Sequence, residues 1–182
     1  MPQRAVYWPR AGALLVADLH LGKSQTFRAS GVPIPGGTTG EQLNRLTRAI
    51  EASSAQRLLV LGDLLHAPAG LTESVIEPVA KWRAASPIPI EVITGNHDRR
   101  IESVANAWSL TIRGDCTREG PFTLAHDPAC EPEENTFLWA GHLHPAVRLA
   151  NSTQSIKLPC FHITARCGVL PAFSAFTGGV SV

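Results

Sequence analysis

Residues 13–20 read ALLVADLH, which is a run of five apolar residues followed by Asp18 and His20. A continuous aliphatic run of this length is typical of a strand buried on both faces of its sheet. Two side chains that lie two residues apart at the end of a strand face the same side, so both can bind one cation. The stretch therefore predicts a buried strand that ends in a pair of metal ligands.

The same arrangement recurs along the chain. Four later apolar runs also lead to a polar motif; they are residues 57–61, 89–94, 122–125 and 136–140. Amphipathic segments predict helices at about 40–53, 72–85 and, more weakly, 100–107. Thr39 is expected to cap the first of these helices, and Pro78 is expected to break the first turn of the second. Alternation of strands and helices is the signature of a layered α/β fold.

After residue 109 the pattern changes to short segments separated by turn residues, which predict successive antiparallel strands up to residue 170. The predicted fold is therefore α/β, a two-sheet β-sandwich flanked by helices, with ligands gathered at strand ends. Residues 1–182 are expected to form a single domain with no separate capping domain, because a chain of this length suits one core. The loop at 31–37 is expected to form part of a substrate rim.

The composition is that of an ordinary globular protein, with 44% hydrophobic and 17% charged residues. The formal net charge of +1 does not indicate a nucleic-acid binder, although a local groove can be basic on a neutral protein. No segment approaches the roughly 20 apolar residues of a membrane span, and the start lacks a signal-peptide core. A cytoplasmic protein without membrane contact is expected. The four cysteines form no Cys-x-x-Cys pair and are interpreted as buried or idle thiols.

Six of the seven histidines lie in five short motifs between residues 18 and 144. The candidate metal ligands in these motifs are Asp18, His20, Asp63, Asn96, His126, His142 and His144. The two carboxylate oxygens of Asp63 can bridge two cations, and Gly62 leaves space for Asp63 to approach them. A single histidine is more often a core residue than a ligand. Five motifs in this order, each behind an apolar run, favour a metal centre.

The histidines are not equally strong candidates. His126 stands alone in its motif and is the weakest predicted ligand. His66 is interpreted as a supporting or structural residue, and His162 as a core or surface residue. The candidate ligands are imidazoles and oxygens without a thiolate, a set that suits Mn, Fe or Zn better than Ca or Mg. Two divalent ions are expected, with Mn²⁺ favoured and Fe or Zn as alternatives.

The five motifs resemble those of the calcineurin-like metallophosphoesterase superfamily over residues 14–144. They are Asp18-Leu19-His20, Gly62-Asp63-Leu64-Leu65-His66, Gly95-Asn96-His97-Asp98, His126 and Gly141-His142-Leu143-His144. The second motif lacks the Asp-Arg-Gly continuation of the Ser/Thr protein phosphatases, and the third ends in Asp98 where those enzymes have Glu. Both departures favour the phosphodiesterase and nuclease branch.

The resemblance implies a role for each matching residue. One implied metal site comprises Asp18, His20, Asp63 and His144, and the other comprises Asp63, Asn96, His126 and His142. The implied catalytic residues are Asn96, His97 and Asp98. In this scheme His97 contacts the phosphate or protonates the leaving oxygen, and Asp98 orients the His97 imidazole.

Residues 17–23, 120–126, 141–145 and 170–179 resemble the bacterial ligase-associated DNA-damage-response endonuclease (PdeM) family over almost the full chain. This resemblance implies a metal-dependent DNA endonuclease in DNA repair that hydrolyses phosphodiester bonds with a metal-bridging hydroxide. It implies as partners DNA or another phosphodiester, with a DNA ligase, an exonuclease and a helicase of the same repair system. A homodimer is left open.

Two alternatives remain at this stage. The first is a phosphodiesterase or pyrophosphatase that acts on a small nucleotide substrate, because the chain is short and nearly neutral. A salt-dependent affinity for DNA would favour the nuclease over it. The second is a non-catalytic scaffold of the same fold. It is disfavoured because every ligand position is filled in this sequence.

Overall fold

The computed structural model describes residues 3–34 and 36–182, so Met1, Pro2 and Pro35 lie outside the description. The first sheet contains β1 (Val6–Trp8), β2 (Ala13–Val16), β3 (Arg57–Leu61), β4 (Ile90–Ile93) and β5 (Leu110–Ile112). Its strand order is β1-β2-β3-β4-β5, and β2 to β5 run parallel. The strands predicted at 13–17, 57–61 and 89–94 are confirmed. The antiparallel edge strand β1 was not predicted.

Eight further strands form two more sheets. They are β6 (Cys116–Glu119), β7 (Phe122–Ala125), β8 (Phe137–Ala140), β9 (Pro145–Ala150), β10 (Ser155–Pro159), β11 (His162–Ile163), β12 (Cys167–Val169) and β13 (Val180–Ser181). The second sheet has the order β11-β12-β8-β7-β6, and a small third sheet has the order β10-β9-β13. The layered α/β fold is confirmed, with the third sheet as an addition to the predicted sandwich.

The prediction of successive antiparallel strands is wrong for β5, which pairs parallel with β4 in the first sheet, and for the centre of the second sheet. Both β7 and β12 run parallel to β8. Parallel neighbours need a connection that returns the chain to the starting end of the sheet. Residues 126–136 provide that return between β7 and β8, and the β9–β11 excursion provides it between β8 and β12. The carboxyl ends of β7 and β8 therefore lie at the same edge.

Four α-helices accompany the sheets: α1 (Lys23–Ala29), α2 (Thr38–Ser53), α3 (Glu73–Ala85) and α4 (Glu102–Ala105). Thr39 lies inside α2 and does not cap it; the helix follows Gly37, which adopts a φ of 88°. α3 runs through Pro78 without a break, although the proline cannot donate a hydrogen bond to the Ser74 carbonyl, so the predicted break at this residue is wrong. α1 was not predicted. In the described part of the chain, no helix combines the length and apolar character needed to cross a membrane.

The apolar side chains of the first sheet pack on both of its faces. Leu14, Val16 and Val60 belong to a core shared with α2 and α3, in which Leu46 and Val79 are buried. The alternate residues of the same strands contribute to a second core shared with the second sheet; these residues are Leu15, Leu59, Leu61 and Ile93, and they join Leu124 and Leu170. The two-sided burial predicted from the aliphatic runs is confirmed, and it anchors the central strands between two cores.

The four cysteines and the predicted rim loop lie at or near the surface. All four cysteines are free thiols, which agrees with the interpretation as buried or idle thiols, and each is exposed or half-buried and not fully buried. The Cys116 and Cys130 sulfurs lie 2.6 Å apart. The described part of the loop at 31–37 is largely exposed, and Pro35 of that loop lies outside the described residues.

Candidate metal centre

All seven predicted ligands lie at one edge of the two packed sheets, each just beyond a strand end. The backbone segments that carry them are joined to one another. The Asp18 N–H donates to the Gly62 carbonyl at 3.1 Å, and the His20 N–H donates to the Asp63 carbonyl at 2.9 Å. On the second sheet, the Gly141 N–H donates to the His126 carbonyl at 3.0 Å. The two sheets therefore present their polar strand ends to one cleft.

Asp18, His20 and His144 form one group of converging side chains, with ligand atoms that all lie within 4.8 Å of one another. The Nε2 atom of His144 lies 3.3 Å from Asp18 Oδ1 and 3.4 Å from His20 Nε2. Asp18 is fully buried and His20 is nearly so. These three residues form the first cluster, in which one carboxylate and two imidazoles converge on a common point.

Asp63, His126 and His142 form the second cluster, again with ligand atoms within 4.8 Å of one another. His142 Nδ1 lies 3.1 Å from His126 Nε2, which in turn lies 3.0 Å from Asn96 Oδ1. The exposed Asn96 thus brings a neutral oxygen to the open side of the cluster. His126, the weakest candidate from sequence, lies at the middle of this group.

The Asp63 carboxylate lies between the two clusters. Its Oδ2 atom is 3.9 Å from His20 Nε2 in the first cluster, and its Oδ1 atom is 3.5 Å from His126 Nε2 in the second. Oδ1 also accepts a hydrogen bond of 2.9 Å from the His97 N–H. One oxygen therefore faces each cluster, which is the geometry that a carboxylate bridging two cations requires.

The electrostatics of the cleft fit bound cations. Asp18 and Asp63 are buried, and among the described residues neither has a lysine or arginine nitrogen within 4.0 Å. Buried carboxylates without a compensating cation are strongly unfavourable. Burial, followed by the charge of Lys23 and the neighbouring histidines, lowers the pKa of His20 to about 2. A neutral imidazole is the metal-binding form, so the residues present suit two divalent ions.

His97 lies at the mouth of the cleft, with 40% of its side chain exposed. Its Nδ1 atom lies 2.6 Å from the His66 carbonyl oxygen and donates to it, because a carbonyl can only accept. The other ring nitrogen, Nε2, lies 4.0 Å from Asp63 Oδ2 and faces the cleft. The ring is thus held with one nitrogen available to a substrate.

The implied role of Asp98 as the group that orients the His97 imidazole is wrong. The buried Asp98 carboxylate accepts the Leu65 N–H at 2.8 Å and the Gly95 N–H at 2.9 Å. Burial raises the pKa of Asp98, and these two hydrogen bonds oppose that effect. Asp98 therefore joins the loop after β3 to the loop after β4 and positions their side chains. The His66 carbonyl orients the His97 ring.

His66 takes part in the cleft more directly than the sequence suggested. Its ring stacks on His97 with centroids 5.3 Å apart and an interplanar angle of 12°. His20, His66 and His97 also form a third group with ligand atoms within 4.8 Å of one another. Burial, with the charges of Lys23 and His97, lowers the pKa of His66 to about 4. His162 lies half-buried on β11, away from these groups.

Sequence reasoning gave no role to Lys23, which follows the first motif by three residues. Its Nζ atom donates to Thr177 Oγ1 at 3.2 Å, and the charges of Asp18 and Asp63 act on it. Burial is the largest influence and lowers the pKa of Lys23, and the two carboxylates oppose the change. The sequence shows a lysine close behind Asp18, but this spacing alone does not show where the lysine side chain lies in the fold.

Five of the predicted ligands have a backbone conformation that side chains rarely adopt. Positive φ angles occur at Asp18 (55°), His20 (49°), Asp63 (50°), His142 (69°) and His144 (48°). Only nine residues other than glycine show a positive φ in the described ranges. Such conformations are concentrated at functional sites, where the surrounding structure holds them against their cost. The clustering is an independent indication that these residues serve a function.

Close backbone approach explains the glycine of the second motif. Gly62 has a φ of 75°, and a Cβ atom at this position would overlap the His126 ring. Gly114 has almost the same φ, 76°, but nothing lies within 4 Å of the Cβ position. Alanine substitutions at Gly62 and Gly114 therefore separate the effect of backbone strain from the effect of the collision with His126.

We expect Gly62→Ala to displace His126 and to lower metal content, and Gly114→Ala to leave both activity and metal content unchanged. Both substitutions carry the left-handed backbone cost of roughly 1–2 kcal/mol, so both should lower the free energy of unfolding. Urea denaturation and metal analysis of the purified variants measure these effects. Equal metal content in Gly62→Ala and Gly114→Ala would contradict the structural role assigned to the packing of His126 against Gly62.

A sequence profile described as calcineurin-like phosphoesterase matches residues 13–153, which is more than half of the chain. Among solved structures, the chain is similar to the nuclease MPE of Pseudomonas putida, with a TM-score of 0.86 and 33% identity over 100% of this chain and 84% of that one. It is also similar to Yfce, a phosphoesterase from E. coli, with a TM-score of 0.55 and 17% identity over 92% of this chain and 83% of that one. At that identity the likeness concerns the fold alone. A comparison with curated protein sequences found no significant match.

The profile match begins at β2 and spans both clusters, so the family likeness and the clustered ligands concern the same part of the molecule. The alternative of a non-catalytic scaffold is disfavoured, because the family chemistry is the metal-dependent hydrolysis of ester bonds. The full-length similarity to a nuclease, at 33% identity, agrees with the profile. The chain belongs to the calcineurin-like phosphoesterase family.

Proposed function

We propose that this protein is a two-metal phosphodiesterase that acts on DNA as an endonuclease in bacterial DNA repair. The observation that carries the proposal is the Asp63 carboxylate, which presents one oxygen to each of two histidine-containing clusters. The full-length similarity to a nuclease supports the choice of substrate. In this role the protein would act with the DNA ligase, exonuclease and helicase that the sequence resemblance implies.

Under this proposal the first cluster and Asp63 hold one divalent ion, and the second cluster and Asn96 hold the other. The imidazole and oxygen donors suit Mn, Fe or Zn, and of these we propose Mn²⁺, with Fe or Zn as alternatives. When bound, the two cations would lower the pKa of a water molecule between them and polarise the phosphoryl oxygens. The buried carboxylates of Asp18 and Asp63 supply the negative charge that retains the cations.

The chain itself supplies the groups that bind the phosphate and move a proton. Asn96 is exposed at the second cluster, where its amide can contact a phosphoryl oxygen while its carbonyl oxygen faces His126. His97 donates Nδ1–H to the His66 carbonyl, so Nε2 is the nitrogen that faces the substrate. A protonated Nε2 can donate its proton to the departing oxygen as the phosphorus–oxygen bond breaks. Asp98 positions both loops through their backbone amides.

A small nucleotide diester is the second candidate substrate. It is favoured by the formal net charge of +1, since nonspecific DNA affinity rests largely on basic surface charge. The two substrates share the same hydrolytic centre and differ in what the walls of the cleft must bind. Activity on both a plasmid and a small diester would fit the nuclease, whereas activity on the small diester alone would fit this second candidate.

Plasmid nicking tests the proposed function. Metal-stripped protein is incubated with supercoiled plasmid, alone and after the addition of Mn²⁺, beside a cyclic nucleotide and a nucleotide-linked pyrophosphate. We expect conversion of the supercoiled plasmid to the open circle only when Mn²⁺ is present, because an endonuclease needs no free end. Intact plasmid together with rapid turnover of a small diester would reject the nuclease.

A further inference from the structure

A cavity of about 430 Å³ opens beside the metal centre and shares His20 with it. Its walls come from the start of α1, from α2 and from residues 174–176. Lys23, Arg45 and Arg48 line it, and Glu41 is the one acidic side chain among the lining residues. The cavity is therefore positively charged, although the protein as a whole is nearly neutral.

Arg45 is the unusual residue of this cavity. Its guanidinium lies 4.1 Å above the Phe173 ring, and its Nε and one terminal nitrogen are buried without a hydrogen-bond partner in the described structure. Burial, followed by the charges of Arg4 and Arg48, lowers the pKa of Arg45 to about 10, so the side chain remains charged at neutral pH. A half-buried charged group without a compensating anion is unfavourable, and an anion in the cavity that Arg45 lines would supply the opposite charge.

The buried Arg83 and the half-buried Arg4 differ from Arg45. Arg83 donates to the carbonyls of Trp108 and Ile88 at 2.7 and 2.9 Å. Arg4 donates to the carbonyls of Ala172 and Ser174 at 3.1 and 2.9 Å. These side chains hold neighbouring backbone segments together through hydrogen bonds. Among the described residues Arg45 Nε and its buried terminal nitrogen donate to no backbone carbonyl, so a structural role of this kind does not account for them.

A phosphate group fits these properties. The guanidinium fork matches the oxygens of a phosphate, and the bond is strong because both partners are charged. Phe176, which is 41% exposed, gives the cavity an apolar wall that can pack against the sugar or base attached to such a phosphate. Lys23 contributes to the cavity and also lies within the field of Asp18 and Asp63, so the two anion sites are adjacent.

We propose that this cavity binds a second phosphate group of the substrate, next to the one cleaved at the metal centre, with Arg45 and Arg48 as its donors. The inference rests on the proposed function and names the feature of the substrate that the cleft selects. A substrate with a single phosphate engages only the metal centre. A nucleic-acid strand, which carries a phosphate on each nucleotide, engages both sites.

The test compares two substrates of the Mn²⁺-loaded protein: bis-p-nitrophenyl phosphate, which has one phosphate, and a fluorescein-labelled oligothymidylate, which has several. The variants are Arg45→Met, which keeps the aliphatic volume above Phe173, and Arg48→Ala, which removes an exposed side chain. Lys81→Ala is the matched control, because Lys81 is exposed on α3 and does not line the cavity.

We expect each cavity variant to lower kcat/KM for the oligonucleotide about tenfold or more, as expected when a charged hydrogen bond is removed, mainly through KM. Turnover of bis-p-nitrophenyl phosphate should stay within about twofold of wild type, and Lys81→Ala should leave both substrates unaffected. The slope of the logarithm of kcat/KM against the logarithm of salt concentration should also become shallower. We expect a change of about 0.7 for each arginine–phosphate ion pair that the substitution removes.

Three results would overturn the inference. The first is an unchanged salt slope and an unchanged KM in both Arg45→Met and Arg48→Ala. The second is an equal loss of activity in Lys81→Ala, which would indicate general surface charge. The third is inhibition of bis-p-nitrophenyl phosphate turnover by inorganic phosphate that is weakened in Arg45→Met and Arg48→Ala, which would assign the cavity to free phosphate. If the wild type does not cleave the oligonucleotide, the nuclease proposal fails. Fluorescence anisotropy of the intact oligonucleotide on the same variants then tests the cavity alone.

Discussion

Asp63→Asn is expected to abolish hydrolysis of every phosphodiester and to remove bound metal from the protein. The substitution keeps the size of the side chain and an oxygen that can accept the His97 N–H, so the loops should remain in place. It removes the negative charge that faces both clusters. The loss of activity should exceed the roughly 10²–10³-fold effect of deleting one stabilising donor in an active site, because both metal positions are affected.

Metal analysis of the purified variant and the rate on bis-p-nitrophenyl phosphate measure this effect. Asp127→Asn is the matched control, because Asp127 is an exposed carboxylate one residue beyond His126 and its Oδ1 accepts the Ala129 N–H. Asparagine can make that bond, so this variant should retain its metal and its activity. A fully metallated Asp63→Asn protein would show that the carboxylate does not bridge the clusters.

His97→Ala is expected to retain its metal and to lose most of its activity toward diesters with a poor leaving group. The ring lies at the open mouth of the cleft and outside the two Asp and His clusters that span the centre. Loss of a general acid typically costs about 10²–10⁴-fold in rate. p-Nitrophenolate leaves without a proton, so the loss should be smaller on bis-p-nitrophenyl phosphate than on a dinucleotide.

The comparison of the two leaving groups is the decisive part of this experiment, since a damaged metal centre would slow both substrates equally. His162→Ala serves as the histidine control, because His162 lies on β11 and outside the clusters. It should match the wild type on both substrates. A His97→Ala protein that cleaves the dinucleotide at the wild-type rate would refute the role proposed for His97.

Much of the fold was predictable because aliphatic runs and helical periodicity act locally. The run at 13–17 predicted β2, and its two-sided burial followed from the absence of any alternation. The ligands were predictable because each polar motif follows such a run directly. Parallel pairing of β7 and β12 with β8 was not predictable, since short segments in turn-rich sequence pair in either direction.

The supporting contacts of the site were harder to foresee than its ligands. Asp98 follows His97 in sequence, yet its carboxylate turns away to the amides of Leu65 and Gly95. The positive φ angles of Asp18 and His20 depend on backbone hydrogen bonds to the loop after β3, which no local pattern reveals. The Arg45 cavity joins α2 to residues more than 120 positions away, so only the folded chain brings it together.

The proposed function requires that two divalent cations, held by the Asp63-linked clusters, perform diester hydrolysis. A titration of metal-stripped protein with Mn²⁺ tests this requirement, with hydrolysis of bis-p-nitrophenyl phosphate as the readout and p-nitrophenyl phosphate in parallel. We expect no turnover of the diester without metal, and activity that reaches its plateau at two bound Mn²⁺ per chain. Undiminished hydrolysis by the stripped protein, or a plateau at a single bound ion, would refute the two-metal mechanism.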